Sequence, residues 1–139
     1  MIFMNVLFIC RGNVGRSQMA EAFFNRMSGK HHAFSAGTHA LKHEGRRLSE
    51  FAGNVVKCMA ALGYDLSDRH PKQLTREMAE RAEMVVSMTD KKDLPGYARD
   101  SPKLVLWDVE DAKGRSYRFH CRIRDRVKGL VEKLVEDIG

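Results

Sequence analysis

Cys10 and Arg16 are separated by five residues, two of them glycines, in the run Cys10-Arg11-Gly12-Asn13-Val14-Gly15-Arg16-Ser17. A sulfur nucleophile, a guanidinium and a short stretch of backbone amides placed this close together suit chemistry on a tetrahedral oxyanion. Arginine offers a planar, two-pronged donor that matches such an anion. Successive N–H groups turned inward in a short loop make a nest for negative charge, and a helix starting just after it adds unpaired N–H groups and a partial positive charge. Gly12 and Gly15 admit backbone angles that other residues resist, and Asn13 tolerates them while bracing the loop through its amide. Donors that hold an oxyanion would also hold a thiolate at Cys10, to which the Ser17 hydroxyl can donate. The expected anion cradle is therefore Arg11, Gly12, Asn13, Val14, Gly15, Arg16 and Ser17, with Cys10 at its floor. A nucleotide-binding loop would need glycine at position 10 and lysine at position 16, and a merely structural cysteine would not explain Arg16 and both glycines.

The flanking residues position this loop. Ile2 to Ile9 is almost continuously apolar, as expected of a parallel strand covered on both faces. From Arg16 to Ser28, Met19, Ala20, Phe23, Phe24 and Met27 fall on one helical stripe, and Gly29 supplies a stop. A short strand is expected at Ala33–Ala36, a helix over Ser49–Leu62 and a short helix from Thr75 to Arg81. Two more buried strands are expected at Met84–Met88 and Leu104–Trp107. The last helix carries Ile123, Val127, Leu130, Val131, Leu134 and Ile138 in one stripe. Strand and helix alternate, which predicts an α/β fold: a flavodoxin-like four-stranded parallel sheet of order 2-1-3-4 with helices on both faces. Ligands in such sheets bind beyond the carboxyl ends of the strands where the order reverses, between the first and third strands. That is where the cysteine loop must lie.

The 139 residues, with no repeat, linker or composition break, predict one domain over 1–139. Hydrophobic residues at 43% and charged residues at 30% describe a folded soluble chain and exclude disordered or collagenous classes. Met1–Cys10, the most apolar stretch, is about half the length needed to cross a bilayer and lacks the flanks of a signal peptide. A cytoplasmic protein with no membrane partner is expected. The net charge of +6 favours anionic partners, and the absence of a recognisable module argues against nucleic acid. Arg115, Arg118, Arg122, Arg124 and Arg126 are read as a solvated helix face. Cys10, Cys58 and Cys121 are too far apart in sequence for a zinc motif; Cys58 belongs to an apolar stripe and Cys121 lies beside one. His39 and His43 are four apart but lack a third ligand, so no metal is expected.

The Cys-x5-Arg spacing, together with Val6-Leu7-Phe8-Ile9 before it and Gln18-Met19-Ala20-Glu21 after it, looks like the low-molecular-weight protein tyrosine phosphatase and arsenate reductase superfamily. Ser35-Ala36-Gly37-Thr38, Lys72-Gln73-Leu74-Thr75 and Trp107-Asp108-Val109-Glu110-Asp111 extend the resemblance over nearly the whole chain. It implies a phosphatase without metal or cofactor, in which Cys10 attacks phosphorus and Arg16 with the loop amides binds phosphate. Its substrate would be phosphotyrosine in a phosphoprotein or a similar phosphate ester. By position, Asp111 is the implied general acid and base, with Asp108 and Glu110 as neighbouring alternatives.

The chain departs from that pattern in informative places. Gly15 stands where many tyrosine phosphatases of the group carry a second loop cysteine. Ala112 replaces the proline that usually follows the acid, and Lys113 and Gly114 replace the aromatics that sandwich a tyrosine ring. Arg69 falls where the family often has histidine, with His70 next to it, and Gln18 is more typical of the arsenate reductase branch. The alternative is therefore arsenate reduction by the same cysteine. Because Met84–Asp100 holds no cysteine, that reaction would draw on an external thiol donor.

Overall fold

The strand that leads into the loop, β1 (Asn5–Cys10), has Val6, Leu7, Phe8 and Ile9 fully buried, as a strand covered on both faces requires. These positions come from a computed structural model, which describes residues 3–139. Ile2, where the sequence places the start of this strand, lies outside the described residues. The chain continues through α1 (Arg16–Met27), β2 (His32–Gly37), α2 (Leu48–Phe51), α3 (Gly53–Ala60), α4 (Arg76–Arg81), β3 (Met84–Ser87), α5 (Gly96–Arg99), β4 (Leu104–Leu106) and α6 (Tyr117–Ile138). The four strands are parallel in the order β2-β1-β3-β4, the expected arrangement.

Alternate residues of β1 feed two cores. Val6, Phe8 and Cys10 point to the side packed by Met19, Phe23 and Phe24 of α1 and by Ile123, Val127 and Val131 of α6. Leu7 and Ile9 meet Ala79, Val85, Leu94 and Ala98 on the other side, covered by α4 and α5. Phe8 anchors the first core, edge-on to Phe24 at 5.9 Å and tilted against Trp107 at 5.6 Å. Register puts Cys10 beside Gly37 and Ile9 beside Ser87, so the cysteine loop leaves the sheet between the ends of β2 and β3.

Three expectations are corrected. The single helix over Ser49–Leu62 is two, because the backbone at Ala52 turns out of the helix (φ −125°, ψ 52°) just before Gly53, the residue with weak helix preference. β4 is a partly exposed edge strand, with Val105 39% and Leu106 50% exposed, because nothing pairs beyond it in the sheet. The arginines near α6 are not all solvated. Arg124 lies against α3 and donates through Nη1 to the Cys58 carbonyl at 2.9 Å, whereas Arg126 stays exposed while its Nε donates to the Asp108 carbonyl at 2.9 Å. Among the described residues no helix is long and apolar enough to cross a membrane.

Cys58 is fully buried, and that burial pushes its thiol up to about 11. An unfolded thiol titrates near 8.5. Below that pH both states hold the proton and the stabilisation is complete. It is lost as pH rises through the folded value, a total of about 3 kcal/mol. Urea unfolding from about pH 8 to pH 11 should therefore show a steeper decline for the native chain than for Cys58→Ala, and parallel curves would refute this.

Candidate active site

Cys10 ends β1 with 2% of its surface exposed. Its Sγ lies 3.0 Å from Ser17 Oγ, on the first turn of α1. Asn13 Nδ2 donates to that same hydroxyl at 2.7 Å, so the Ser17 proton is free to point at the sulfur. Gly15 caps α1 without a side chain, and no acidic residue sits in the first turn to compete with an anion for the helix end.

The loop takes its shape from Asn13, the one residue of the run with a left-handed backbone (φ 55°). Neither Gly12 nor Gly15 uses a positive φ, and Gly15 takes an irregular conformation (φ −104°, ψ −86°) at the start of α1. Asn13 is fully buried and its amide is saturated. Nδ2 donates to Ser17 Oγ and, at 3.0 Å, to Ser35 Oγ, while Oδ1 accepts from Lys72 N at 2.9 Å and Gln18 Nε2 at 3.1 Å. Gly37 braces the loop from β2. A Cβ there would come within 2.7 Å of the Arg11 carbonyl oxygen and 2.8 Å of Asn13 N, so only glycine lets the two segments lie this close. Thr38 N and His39 N then donate to the Cys10 and Arg11 carbonyls at 3.0 and 2.7 Å.

Arg16 opens α1 and is 8% exposed. Its Nη1 donates to the carbonyls of Met88 at 2.5 Å and Val109 at 2.9 Å, which follow the ends of β3 and β4. The guanidinium is thus fixed across the carboxyl edge of the sheet. Its Nη2 lies 3.7 Å from Asp111 Oδ2. Asp111 is about half exposed, and its Oδ1 accepts from Lys113 N at 3.0 Å. Of the three candidate carboxylates at 108, 110 and 111, Asp111 is the one that forms an ion pair with Arg16. Arg11 and Val14 line the run on either side of Asn13, Arg11 exposed and Val14 packed against the first core.

Behind the loop is a charged layer that the sequence reading left without roles. Ser35 donates to Glu21 Oε1 at 2.7 Å, and Glu21 also pairs with Arg69. Lys72 Nζ reaches Asn13 Oδ1 at 3.4 Å. Burial pushes the Lys72 amine down, while the Glu21 and Cys10 charges pull the other way. Glu21 on a helical face otherwise occupied by buried residues was the available signal; its partners lie 14 to 48 residues away.

The arrangement sets a buried thiol with a hydroxyl neighbour, a fixed guanidinium and a carboxylate paired to it at the carboxyl edge of one sheet. Known proteins share this fold. The family model described as "Low molecular weight phosphotyrosine protein phosphatase" matches residues 5–139. A low molecular weight protein tyrosine phosphatase from T. tengcongensis superposes with a TM-score of 0.84 at 30% identity, over 96% of this chain and 99% of that one. A YwlE arginine phosphatase, solved as a mutant with a phosphorylated active-site serine, gives 0.84 at 26% identity, over 97% and 95%. Arsenate reductase 1 of Bacillus cereus is 29% identical over 94% of this chain and 93% of its own length. Phosphatases and a reductase thus share one scaffold, and with a family match reaching from β1 to the last residue, this chain is an enzyme that belongs to the low molecular weight phosphotyrosine protein phosphatase family.

Proposed function

We propose that the protein hydrolyses phosphomonoesters, phosphotyrosine or similar, in two displacements through a phosphocysteine. The observation that carries this reading is the convergence of the Cys10 sulfur on the Ser17 hydroxyl at 3.0 Å and of Arg16 on Asp111 at 3.7 Å around one loop. Cys10 attacks phosphorus as the bond to the leaving oxygen breaks, and the Asp111 carboxylic acid gives that oxygen its proton. Water then attacks the phosphocysteine, giving its proton to the Asp111 carboxylate, and the sulfur leaves as a thiolate that accepts from Ser17. The loop amides and Arg16 stabilise the equatorial oxygens in both steps. The similar arginine phosphatase with its phosphorylated active-site serine supports a covalent step at this position. Such chemistry needs Cys10 reduced, as in the cytoplasm.

Hydrolysis of para-nitrophenyl phosphate with a metal chelator present tests this directly. Asp111→Asn should lower kcat by about 10²- to 10⁴-fold, and by less for leaving groups that need no proton. An Asp111→Asn protein with unchanged kcat removes that residue from the mechanism.

The arsenate reductase likeness favours a second reading, in which Cys10 attacks arsenate and external thiols supply the two electrons, ending as a disulfide. Arsenate offered with glutathione, glutaredoxin or thioredoxin should then give arsenite; no arsenite with any donor removes this reading.

A further inference from the structure

Two walls rise beside the Cys10 bowl, and both are cationic. One is the segment leaving β2. His39 N donates to the Arg11 carbonyl at 2.7 Å and Ala40 N to Gln73 Oε1 at 2.7 Å, which pins this segment against the loop. It continues through Lys42 and His43 to Arg46. The His43 ring stacks on Phe51 at 4.3 Å, and the Arg46 guanidinium lies over the same ring at 4.8 Å. Phe51 ends α2. Val55, in the first turn of the following helix α3, approaches the Cβ position of Gly15 at 3.7 Å, so the start of α3 lies on the loop. The other wall is the segment after Asp111, where Lys113 is tied by its amide to the Asp111 carboxylate.

The cations on these walls, and Arg11 of the loop itself, form no ion pair among the described residues. Arg11, Lys42, Arg46 and Lys113 are all exposed. Arg47 shows the contrast, since it is paired with both Glu50 and Asp68. Of the nearby carboxylates, Glu44 accepts from Gln73 N at 3.4 Å and Asp111 faces Arg16. His43, next to Lys42 in the chain, is held below its ordinary value by burial and then by Arg46, Lys42 and Lys113. Four unpaired cations beside an anion-binding bowl focus attraction on a ligand with more than one negative group.

We propose that the substrate carries a second anionic group close to its phosphoryl group, and that Arg11, Lys42, Arg46 and Lys113 receive it at the rim. This rests on the phosphomonoesterase reading and names the class of ester. The second group can be a carboxylate beside a phosphorylated residue or another phosphate on a small molecule.

The test is calorimetry on the Cys10→Ser protein, which reads binding apart from turnover. Two pairs of probes distinguish the sources: a phosphotyrosyl peptide flanked by glutamates against one flanked by alanines, and a hexose bisphosphate against a hexose monophosphate. In at least one pair the more anionic member should bind about tenfold tighter near 50 mM salt, and less than about twofold tighter near 500 mM. The pair with the larger ratio identifies the source. A combined Lys42→Ala, Arg46→Ala and Lys113→Ala replacement, all at exposed positions, should bring the ratio below about twofold. Equal affinities in both pairs, no binding of any probe, or a ratio that survives the triple replacement would overturn the proposal. Hydrolysis of para-nitrophenyl phosphate by the native chain is scored separately. Turnover without a binding preference sinks the rim alone, and a preference without turnover supports the rim and sinks the phosphatase.

Discussion

Cys10→Ser is expected to abolish hydrolysis of para-nitrophenyl phosphate, with kcat falling by at least about 10⁴-fold. The replacement keeps size and position, so the hydroxyl should still meet Ser17 where the sulfur now sits at 3.0 Å. What disappears is the sulfur, since an alcohol is a far weaker acid and a poorer nucleophile than a thiol. Cradle and cation are untouched, so inorganic phosphate should bind within about threefold of the native affinity and the thermal midpoint should barely move. That combination, lost turnover with retained binding and folding, separates a chemical role from a structural one. A serine variant retaining a tenth of the native rate would end the phosphocysteine reading.

Arg16→Lys should lower kcat/KM by about 10²- to 10³-fold while preserving formal charge. Lysine offers a point charge where the guanidinium offers fixed, coplanar donors. It also cannot reproduce the two bonds of Nη1 to the Met88 and Val109 carbonyls, so those acceptors lose their partner. Leaving them unsatisfied adds about 1–3 kcal/mol of destabilisation. Steady-state kinetics alongside urea unfolding measures both effects. A lysine variant within about fivefold of native activity would show that charge alone suffices at this position.

The fold was legible because its signals are local. Val6 to Ile9 must be a doubly covered strand, and the apolar stripes of α1 and α6 must face a sheet. The loop was legible for the same reason, since its residues are consecutive. Three features were not. The family resemblance favours Asp111 over Asp108 and Glu110, but its approach to Arg16 is a long-range contact that no local pattern encodes. The Glu21–Arg69 pair spans 48 residues, and the Lys72 contact with Asn13 spans 59, which no periodicity encodes. Arg124 reads as one more surface arginine until α3 packs against it and offers the Cys58 carbonyl. The loop's unusual angle fell on Asn13 rather than on a glycine because an asparagine amide can anchor the bend as well as tolerate it.

The saturated amide of Asn13 has a thermodynamic corollary. With its left-handed backbone (φ 55°) clamped by Ser17, Ser35, Gln18 and Lys72, the loop is held in shape by the fold's own hydrogen bonds. The entropy of arranging those amides is surrendered once, when the chain folds, and is not demanded again at each encounter. Capture of an oxyanion should thus leave the peptide units where they are.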